Sequence, residues 1–256
     1  MDIALFPWVS IEQVELSSGA RVGLPVRYYD WSGMIAQFPV PTSAVRKLLP
    51  TTKLKPAQLV PGTAILTFAA MEYRNIADVA PYNEFGIMVP VLYEPKVNVA
   101  GLPLLFPSWF DRFGFYIHHL PVTTQDAYDL GVQVWGFPKI VAQITFEETT
   151  QMRRCQLRAE GMDVLTLTVE KMPTKPRAIN YYSYTVKDGQ LLKTLIQTEG
   201  QWGIAKFRGG ASYALGDHPI AQELRALGMG QTAVERRYAP QVHSLLHPAG
   251  ERLPLI

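Results

Sequence analysis

Residues 139–171 read KIVAQITFEETTQMRRCQLRAEGMDVLTLTVEK, and they divide into three segments rich in β-branched and apolar residues. These segments are Lys139 to Glu147, Met152 to Ala159 and Val164 to Lys171. The Glu160-Gly161 pair between the last two is a turn signal. Alternating segments joined by short turns predict neighbouring antiparallel strands.

The rest of the chain continues this pattern. Further strand segments are predicted at Thr63 to Tyr73, Phe85 to Tyr93, Phe113 to Pro121 and Ile179 to Val186. Helix signals are few and short: Ala44 to Leu49, Thr124 to Leu130 (ended by Gly131) and Pro219 to Leu227. Seven or more strands without crossover helices favour a closed barrel or a sandwich over a doubly wound α/β sheet. The chain is therefore predicted to be mainly β, of the α+β type.

Composition indicates a compact protein rather than a disordered or fibrous one. The 256 residues are 48% hydrophobic and 18% charged, and no Pro/Gly/Ser linker divides them. We therefore expect a single domain over residues 1–256. The low charge content also favours a homo-oligomer, whose subunits hide part of their surface.

The charge pattern gives no sign of a nucleic-acid partner. The formal net charge is only +2. The pairs Arg153-Arg154 and Arg236-Arg237 form no basic stripe with interleaved aromatic residues, so both pairs are interpreted as solvated surface.

No disulfide or metal site is predicted. Cys155 is the single cysteine, so an internal disulfide is excluded. His118 and His119 are adjacent in a predicted strand, where they would face opposite sides, and no carboxylate companion accompanies them in the sequence. They are interpreted as packed or surface histidines.

The chain is expected to be cytoplasmic. Its first residues, MDIALFP, lack a basic segment, and Pro7 interrupts the apolar run early, so no cleavable signal is predicted. No run of 18 apolar residues without charges occurs, and a membrane partner is not expected.

Lys139 is the candidate for chemistry. It ends the run Gly131-Val132-Gln133-Val134-Trp135-Gly136-Phe137-Pro138-Lys139 and is followed by Ile140, Val141 and Ala142. A lysine amine in apolar surroundings can lose its proton and add to a ketone. The alternative is an ordinary Pro-Lys strand start whose ammonium faces water. Lys139 is predicted to be reactive only if the fold places it in a cavity.

Two motifs in a fixed order resemble the acetoacetate decarboxylase family. They are Pro81-Tyr82-Asn83-Glu84 and the Gly131 to Lys139 run, which is similar to the family's Schiff-base lysine motif. Residues 43–50 resemble the family's early helix, and Asp217-His218 its late Asp-His pair. The resemblance spans roughly residues 25 to 245.

The resemblance implies a fold and a set of site residues. The fold is an antiparallel, cone-shaped β-barrel with a few short peripheral helices. Lys139 is implied as the Schiff-base lysine and Glu84 as its proton shuttle, so these two are the expected catalytic residues. Tyr82, Gln133 and Arg27 are expected to bind substrate. Acetoacetate decarboxylase is itself the known example of a lysine activated by desolvation or by a neighbouring cation.

Two departures from the family pattern bear on the reaction. The decarboxylases have a second lysine directly after the Schiff-base lysine, where this chain has Ile140, and a further glutamate where an ungapped count gives Ala69. A family arginine is matched by Arg27 if a short insertion is allowed, or by Trp31 if it is not. Because Ile140 stands where the decarboxylases have the second lysine, no cation adjoins Lys139 there, and desolvation must carry most of its activation.

Three functions remain open from these patterns. The first is decarboxylation of a small β-keto acid through an iminium on Lys139, which needs no metal or organic cofactor. The second is aldol condensation and dehydration through a pyruvate-derived enamine on the same lysine. The third is a non-catalytic barrel that binds a ligand. Trp109, Phe110 and Trp135 are candidates for an apolar pocket in any of them.

Overall fold

Fifteen β-strands and four short α-helices make up the described part of the chain, in a computed structural model that describes Phe6 and residues 9–256. The expectation about a leader at residues 1–7 lies outside these residues, apart from Phe6. The strands are β1 (Glu12–Glu15), β2 (Arg21–Leu24), β3 (Val26–Pro41), β4 (Leu54–Pro56), β5 (Gln58–Val60), β6 (Thr63–Ile76), β7 (Tyr82–Tyr93), β8 (Phe113–His119), β9 (Gln143–Glu148), β10 (Met152–Ala159), β11 (Met162–Glu170), β12 (Lys175–Lys187), β13 (Gln190–Lys206), β14 (Ala211–Leu215) and β15 (Glu235–Pro254). The helices are α1 (Thr42–Arg46), α2 (Leu102–Leu105), α3 (Gln125–Trp135) and α4 (Pro219–Ala226).

A closed barrel of seven strands confirms the predicted fold class. Its strands follow the order β7-β8-β12-β13-β15-β3-β6, and the pairing of β6 with β7 closes the ring. All of these pairs are antiparallel except β8 with β12, which run parallel. The barrel is thus antiparallel at its other six pairs, and β8 and β12 are parallel because residues 120–174 form a long connection that returns the chain in the same direction.

A second sheet, not anticipated from the sequence, packs against the barrel. It contains four antiparallel strands in the order β14-β11-β10-β9. Cys155 and Leu157 from this sheet are fully buried in one apolar core with Phe38 and Phe68 from the barrel. The three segments of residues 139–171 therefore contribute to this second sheet and not to the barrel wall.

The strand expected from Lys139 onward begins later than predicted. β9 starts at Gln143, and Ile140 before it is exposed. The backbone of residues 138–142 is instead bonded to the segment after β8, where Leu120 N donates to Pro138 O and Val122 N donates to Ile140 O. These bonds hold the Lys139 segment against the barrel end in an irregular conformation, so strand alternation does not apply to it.

The predicted helices are confirmed in position, with one error of length. α1 and α4 lie within two or three residues of their predicted limits. α3 does not end at Gly131 but continues to Trp135, and Gly136 ends it with a left-handed φ of 63°. That conformation suits glycine, which has no Cβ to clash. Within Phe6 and residues 9–256, no helix combines the length and the apolar character that a membrane crossing requires.

The histidine pair on β8 does not straddle the strand as predicted. His119 pairs with Ile87, whereas Ile117 pairs with the next residue of β7, Met88. His118 is therefore an extra residue on its strand, a β-bulge. The bulge breaks the alternation of side chains, so adjacent residues no longer have to face opposite sides.

The interpretation of the arginine pairs as solvated surface was wrong for one member of the first pair. Arg153 on β10 has a side chain only 3% exposed. It donates to Ser32 Oγ at 2.7 Å and to Glu72 Oε2 at 2.8 Å, both on barrel strands, and lies over the Phe146 ring. Because β-strand residues alternate, its neighbour Arg154 is exposed. Arg153 thus joins the second sheet to the barrel.

Replacing Arg153 by alanine is expected to destabilise the fold by about 2 kcal/mol. Removing one partner of a fully buried pair costs roughly 3–5 kcal/mol, and here the remaining carboxylate of Glu72 is 37% exposed, which lowers the cost. Arg154→Ala is the matched control, expected within about 0.5 kcal/mol of the parent because both partners of that pair are exposed. Urea unfolding followed by circular dichroism measures both variants. Equal losses of unfolding free energy in the two variants would show that Arg153 does not join the second sheet to the barrel.

Candidate active site

The barrel encloses a cavity of about 660 Å³, within the usual size range of small-molecule sites. Strands of the barrel, helix α3 and the segment after α2 all contribute to its wall. Aromatic side chains dominate the lining, among them Tyr28, Trp31, Tyr73, Tyr82, Tyr181 and Trp202. The cavity is therefore largely apolar, with phenol groups as its most frequent hydrogen-bond donors.

Lys139 and Glu84 form a buried ion pair in this wall. Lys139 Nζ donates to Glu84 Oε2 at 2.9 Å and to the backbone oxygen of Ala127 at 3.1 Å. The two side chains are only 4% and 9% exposed. The ammonium also lies 5.5 Å from the centre of the Tyr82 ring. The amine is thus enclosed and within direct reach of one carboxylate.

The spacing of the Gly131 to Lys139 run has a structural cause. Gly136 ends helix α3, and Phe137 N then donates to Gly131 O, so the chain folds back along the helix. This return places the Lys139 side chain against Gly131. A Cβ at position 131 would lie 2.3 Å from Lys139 Cε and 2.9 Å from Nζ. Gly131 is therefore the position that lets Lys139 lie flat on the helix.

Gly131→Ala is expected to fold but to displace Lys139. The methyl group meets the end of a flexible side chain rather than backbone, and alanine gains up to about 1 kcal/mol of helix propensity over glycine. A displacement of about 1 Å at a reacting group costs roughly 100-fold in rate. The measurement is the rate of adduct formation between Lys139 and a keto acid, with thermal unfolding in parallel. Asp129→Ala, on the same helix but outside the cavity lining, serves as control and should keep the parent rate.

Buried phenols surround the ion pair. Burial, and after it the negative charge of Glu84, raises the pKa of Tyr28, Tyr73 and Tyr181. The pKa of Tyr82 is also raised, chiefly by burial. These groups therefore stay protonated at any physiological pH and act as neutral donors. Tyr73 donates to Glu84 Oε1 at 3.3 Å, and the hydroxyls of Tyr28 and Tyr82 lie 3.1 Å apart.

The structure brings together some of the residues predicted for the site. Lys139, Glu84 and Tyr82 meet at the cavity wall, and Tyr82 and Glu84 share one face of β7 as strand alternation predicts. Phe110 and Trp135 line the cavity, whereas Trp109 is 69% exposed and stacks on Phe106.

The structure does not bring Gln133 or Arg27 to the cavity. Gln133 is bonded to the main chain and the hydroxyl of Ser17. Arg27 pairs with Asp78 at 3.6 Å, away from the cavity lining. Of the two positions that match the family arginine, Trp31 is the one that lines the cavity.

Several cavity residues were missed from the sequence. Tyr73 is directly opposite Tyr82 in the β6–β7 ladder, so pairing these two strands would have found it. Arg237, interpreted as surface, lines the cavity and donates from Nε to Glu235 Oε1 at 2.6 Å. Within the described residues, Lys139, Lys193 and Arg237 are the cations of the lining. No sequence signal marked Arg237, because the strand β15 that carries it was not predicted.

The two departures from the family pattern have different structural outcomes. Ala69 lies in the cavity lining, where its methyl group adds no charge. Ile140 is exposed and outside the lining. Neither position supplies a second charged group beside Lys139.

The sequence model of the acetoacetate decarboxylase (ADC) family matches residues 15–249. The chain belongs to the acetoacetate decarboxylase family. No curated protein sequence is significantly similar to it. This assignment agrees with the closed barrel and with the enclosed lysine.

Solved structures of this family share the fold. One acetoacetate decarboxylase structure is 16% identical, with a TM-score of 0.61 over 90% of this chain and 89% of its own. The acetoacetate decarboxylase of Legionella pneumophila subsp. pneumophila str. Philadelphia 1 is 14% identical, with a TM-score of 0.60 over 99% and 93%. MppR, an enduracididine biosynthesis enzyme complexed with the condensation product of pyruvate and imidazole 4-carboxaldehyde, is 14% identical, with a TM-score of 0.61 over 97% and 98%. At such identities the likeness shows the fold alone.

Proposed function

We propose that the protein is a cofactor-independent lyase that forms a Schiff base between Lys139 and a small keto acid, with decarboxylation of a β-keto acid as its main reaction. The observation that carries this proposal is the buried Lys139–Glu84 pair, 2.9 Å apart, in the wall of a largely apolar cavity. An enclosed amine next to a carboxylate has both the nucleophile and the proton carrier that imine chemistry requires. Membership of the acetoacetate decarboxylase family supports the same reading.

The reaction begins when Glu84 takes a proton from Nζ, which leaves the neutral amine to attack the ketone carbon of the substrate. Glu84 returns a proton to the carbinolamine oxygen, and water leaves to give the iminium. The bond between the α-carbon and the carboxylate carbon then breaks, and its electron pair moves toward the iminium nitrogen. Carbon dioxide leaves, the enamine is protonated on carbon, and water releases the ketone and the free lysine.

The lining of the cavity favours a reaction that removes charge. A substrate carboxylate there meets phenol donors such as Tyr82 and Tyr181 rather than water, so its negative charge is poorly solvated. Decarboxylation disperses that charge in the transition state, so poor solvation raises the ground state more than the transition state. Arg237 is the candidate to hold the carboxylate as the substrate enters, since it lies in the lining.

Aldol condensation and dehydration is the second candidate, favoured by the cavity volume. A four-carbon keto acid occupies on the order of 100 Å³, since a water molecule takes about 30 Å³. The cavity of about 660 Å³ therefore has room for an aldehyde beside a pyruvate-derived enamine. Ala69 adds to this space because it is small and uncharged. The ligand in MppR is a product of such a condensation.

Borohydride reduction tests the Schiff base. The full chain is incubated with acetoacetate or pyruvate and reduced, and intact mass and peptide mapping locate the adduct. We expect one substrate-derived addition, on Lys139. Absence of any adduct with a panel of β- and α-keto acids, while calorimetry shows that the same acids bind, would instead indicate a ligand-binding barrel.

A parallel assay separates the two reactions. Carbon dioxide release from acetoacetate and longer β-keto acids is measured beside enone formation from pyruvate and an aromatic aldehyde. Carbon dioxide release at the higher kcat/KM supports decarboxylation, whereas enone formation at the higher value supports the aldolase.

A further inference from the structure

Two histidines and a glutamate converge on the surface between β8 and α4. His118 Nε2 lies 2.9 Å from Glu223 Oε1, and His119 Nε2 lies 2.8 Å from Glu223 Oε2. The three side chains are partly buried. None of them lines the barrel cavity, so the cluster is separate from the Lys139 site.

The β-bulge at His118 creates this convergence. Cavity-facing residues on this strand are Phe113, Phe115 and Ile117, and the next one along the chain is Leu120 rather than residue 119. One extra residue is thus accommodated between them, and both imidazoles point away from the cavity. Their ring centres are 4.3 Å apart. Bulges of this kind re-aim side chains, and here the result is that two neighbouring imidazoles reach one carboxylate.

We propose that His118, His119 and Glu223 form a binding site for a divalent transition-metal ion of the Zn²⁺ class. Two imidazole nitrogens and one carboxylate are a ligand set that zinc takes, with a fourth position for water. The ligand atoms all lie within 4.8 Å of one another. Metal–ligand bonds of about 2.0–2.2 Å in a tetrahedron place ligand atoms about 3.4 Å apart. The two His–Glu distances of 2.9 and 2.8 Å are within about 0.6 Å of that spacing, and any ligand-atom separation near the 4.8 Å limit would have to close by about 1.4 Å.

One neighbouring histidine does not belong to the cluster. His218, the nearest further histidine, is engaged otherwise: its Nδ1 accepts from Ile220 N and caps α4.

The position of the site indicates a structural consequence. β8 continues into Leu120 and Val122, whose amides hold Pro138 and Ile140 on either side of Lys139. A metal at the cluster would tie α4 to the end of this strand. It would therefore stabilise the fold without taking part in the imine chemistry.

The test uses the untagged full-length protein after EDTA treatment and dialysis. Co²⁺ is added first, since its visible absorption reports tetrahedral nitrogen and oxygen ligands, and Zn²⁺ affinity is then measured by calorimetry. We expect one ion per chain. At a Zn²⁺ concentration 100 times the dissociation constant, Tm should rise by about 5 °C or more.

Variants assign the ion to this cluster. Glu223→Gln keeps a hydrogen-bond acceptor for the imidazoles and removes the charge, and we expect Zn²⁺ affinity to fall at least about tenfold. His118→Gln should also lower Zn²⁺ affinity at least about tenfold and should remove the Co²⁺ absorption band. His243→Gln changes a histidine outside the cluster and should bind as the parent does. Parent protein without one-to-one binding, or equal affinity in Glu223→Gln and the parent, would overturn the proposal.

Discussion

Lys139→Arg is expected to abolish the borohydride-trapped adduct and to lower kcat by about 10⁴-fold or more. Arginine keeps a positive charge beside Glu84, so the buried pair retains its charge balance, but a guanidinium does not lose its proton and cannot form the imine. In other enzymes, removal of the covalent nucleophile lowers kcat by up to about 10⁶-fold, so the expected effect is among the largest that a single side chain produces. Intact mass after reduction and the turnover of the best keto acid measure it.

Lys193→Arg is the matched control for this variant. Lys193 also lines the cavity and is similarly buried, but its Nζ is paired with Glu251 at 2.7 Å. We expect the control to form the adduct in full. Lys139→Met combined with Glu84→Gln replaces the pair by neutral groups. If its thermal unfolding matches that of the parent while the adduct is lost, the loss does not reflect misfolding. An adduct that persists in Lys139→Arg, or that maps to Lys193, would contradict the assignment of Lys139.

The sequence predicted those parts of the site that depend on local periodicity. Tyr82 and Glu84 are two residues apart on β7, so strand alternation places them on one face, and both line the cavity. The number of strands and the scarcity of helices favoured a barrel or a sandwich, and the family resemblance implied the barrel. Lys139 was identified by its apolar neighbours and by resemblance, although it lies outside any strand.

The parts that were missed depend on contacts between distant residues. Gly131 looks like a helix terminator in sequence, and only the return of the chain from Gly136 shows that it accommodates Lys139. The bulge at His118 is visible only in the register with β7. Gln133 was expected to bind substrate, yet helix α3 turns it toward Ser17. If the predicted helix had been extended through residues 131–135, helical periodicity would have placed Gln133 on a different face from Gly131, against which Lys139 lies.

Glu84→Gln is expected to lower kcat by about 10²- to 10⁴-fold, the range of a general acid–base catalyst. The amide still accepts a hydrogen bond from Lys139 Nζ, but it cannot take the proton from the amine or return one to the carbinolamine. Adduct formation should therefore slow, while the final amount of adduct after long incubation stays close to that of the parent. Rapid-quench borohydride trapping gives the rate, and steady-state turnover gives kcat.

Glu235→Gln separates this chemical role from the general cost of losing a buried carboxylate. Glu235 is as buried as Glu84 and lines the same cavity, but it is paired with Arg237 and Lys206 rather than with Lys139. Each substitution leaves a cation without its partner, and we expect a similar loss of stability, up to about 3–5 kcal/mol. Only Glu84→Gln should slow adduct formation by about 10²- to 10⁴-fold. If both variants slow adduct formation equally, Glu84 supports the fold of the cavity and another group carries the proton. Tyr73, which is bonded to Glu84, would be the next residue to test.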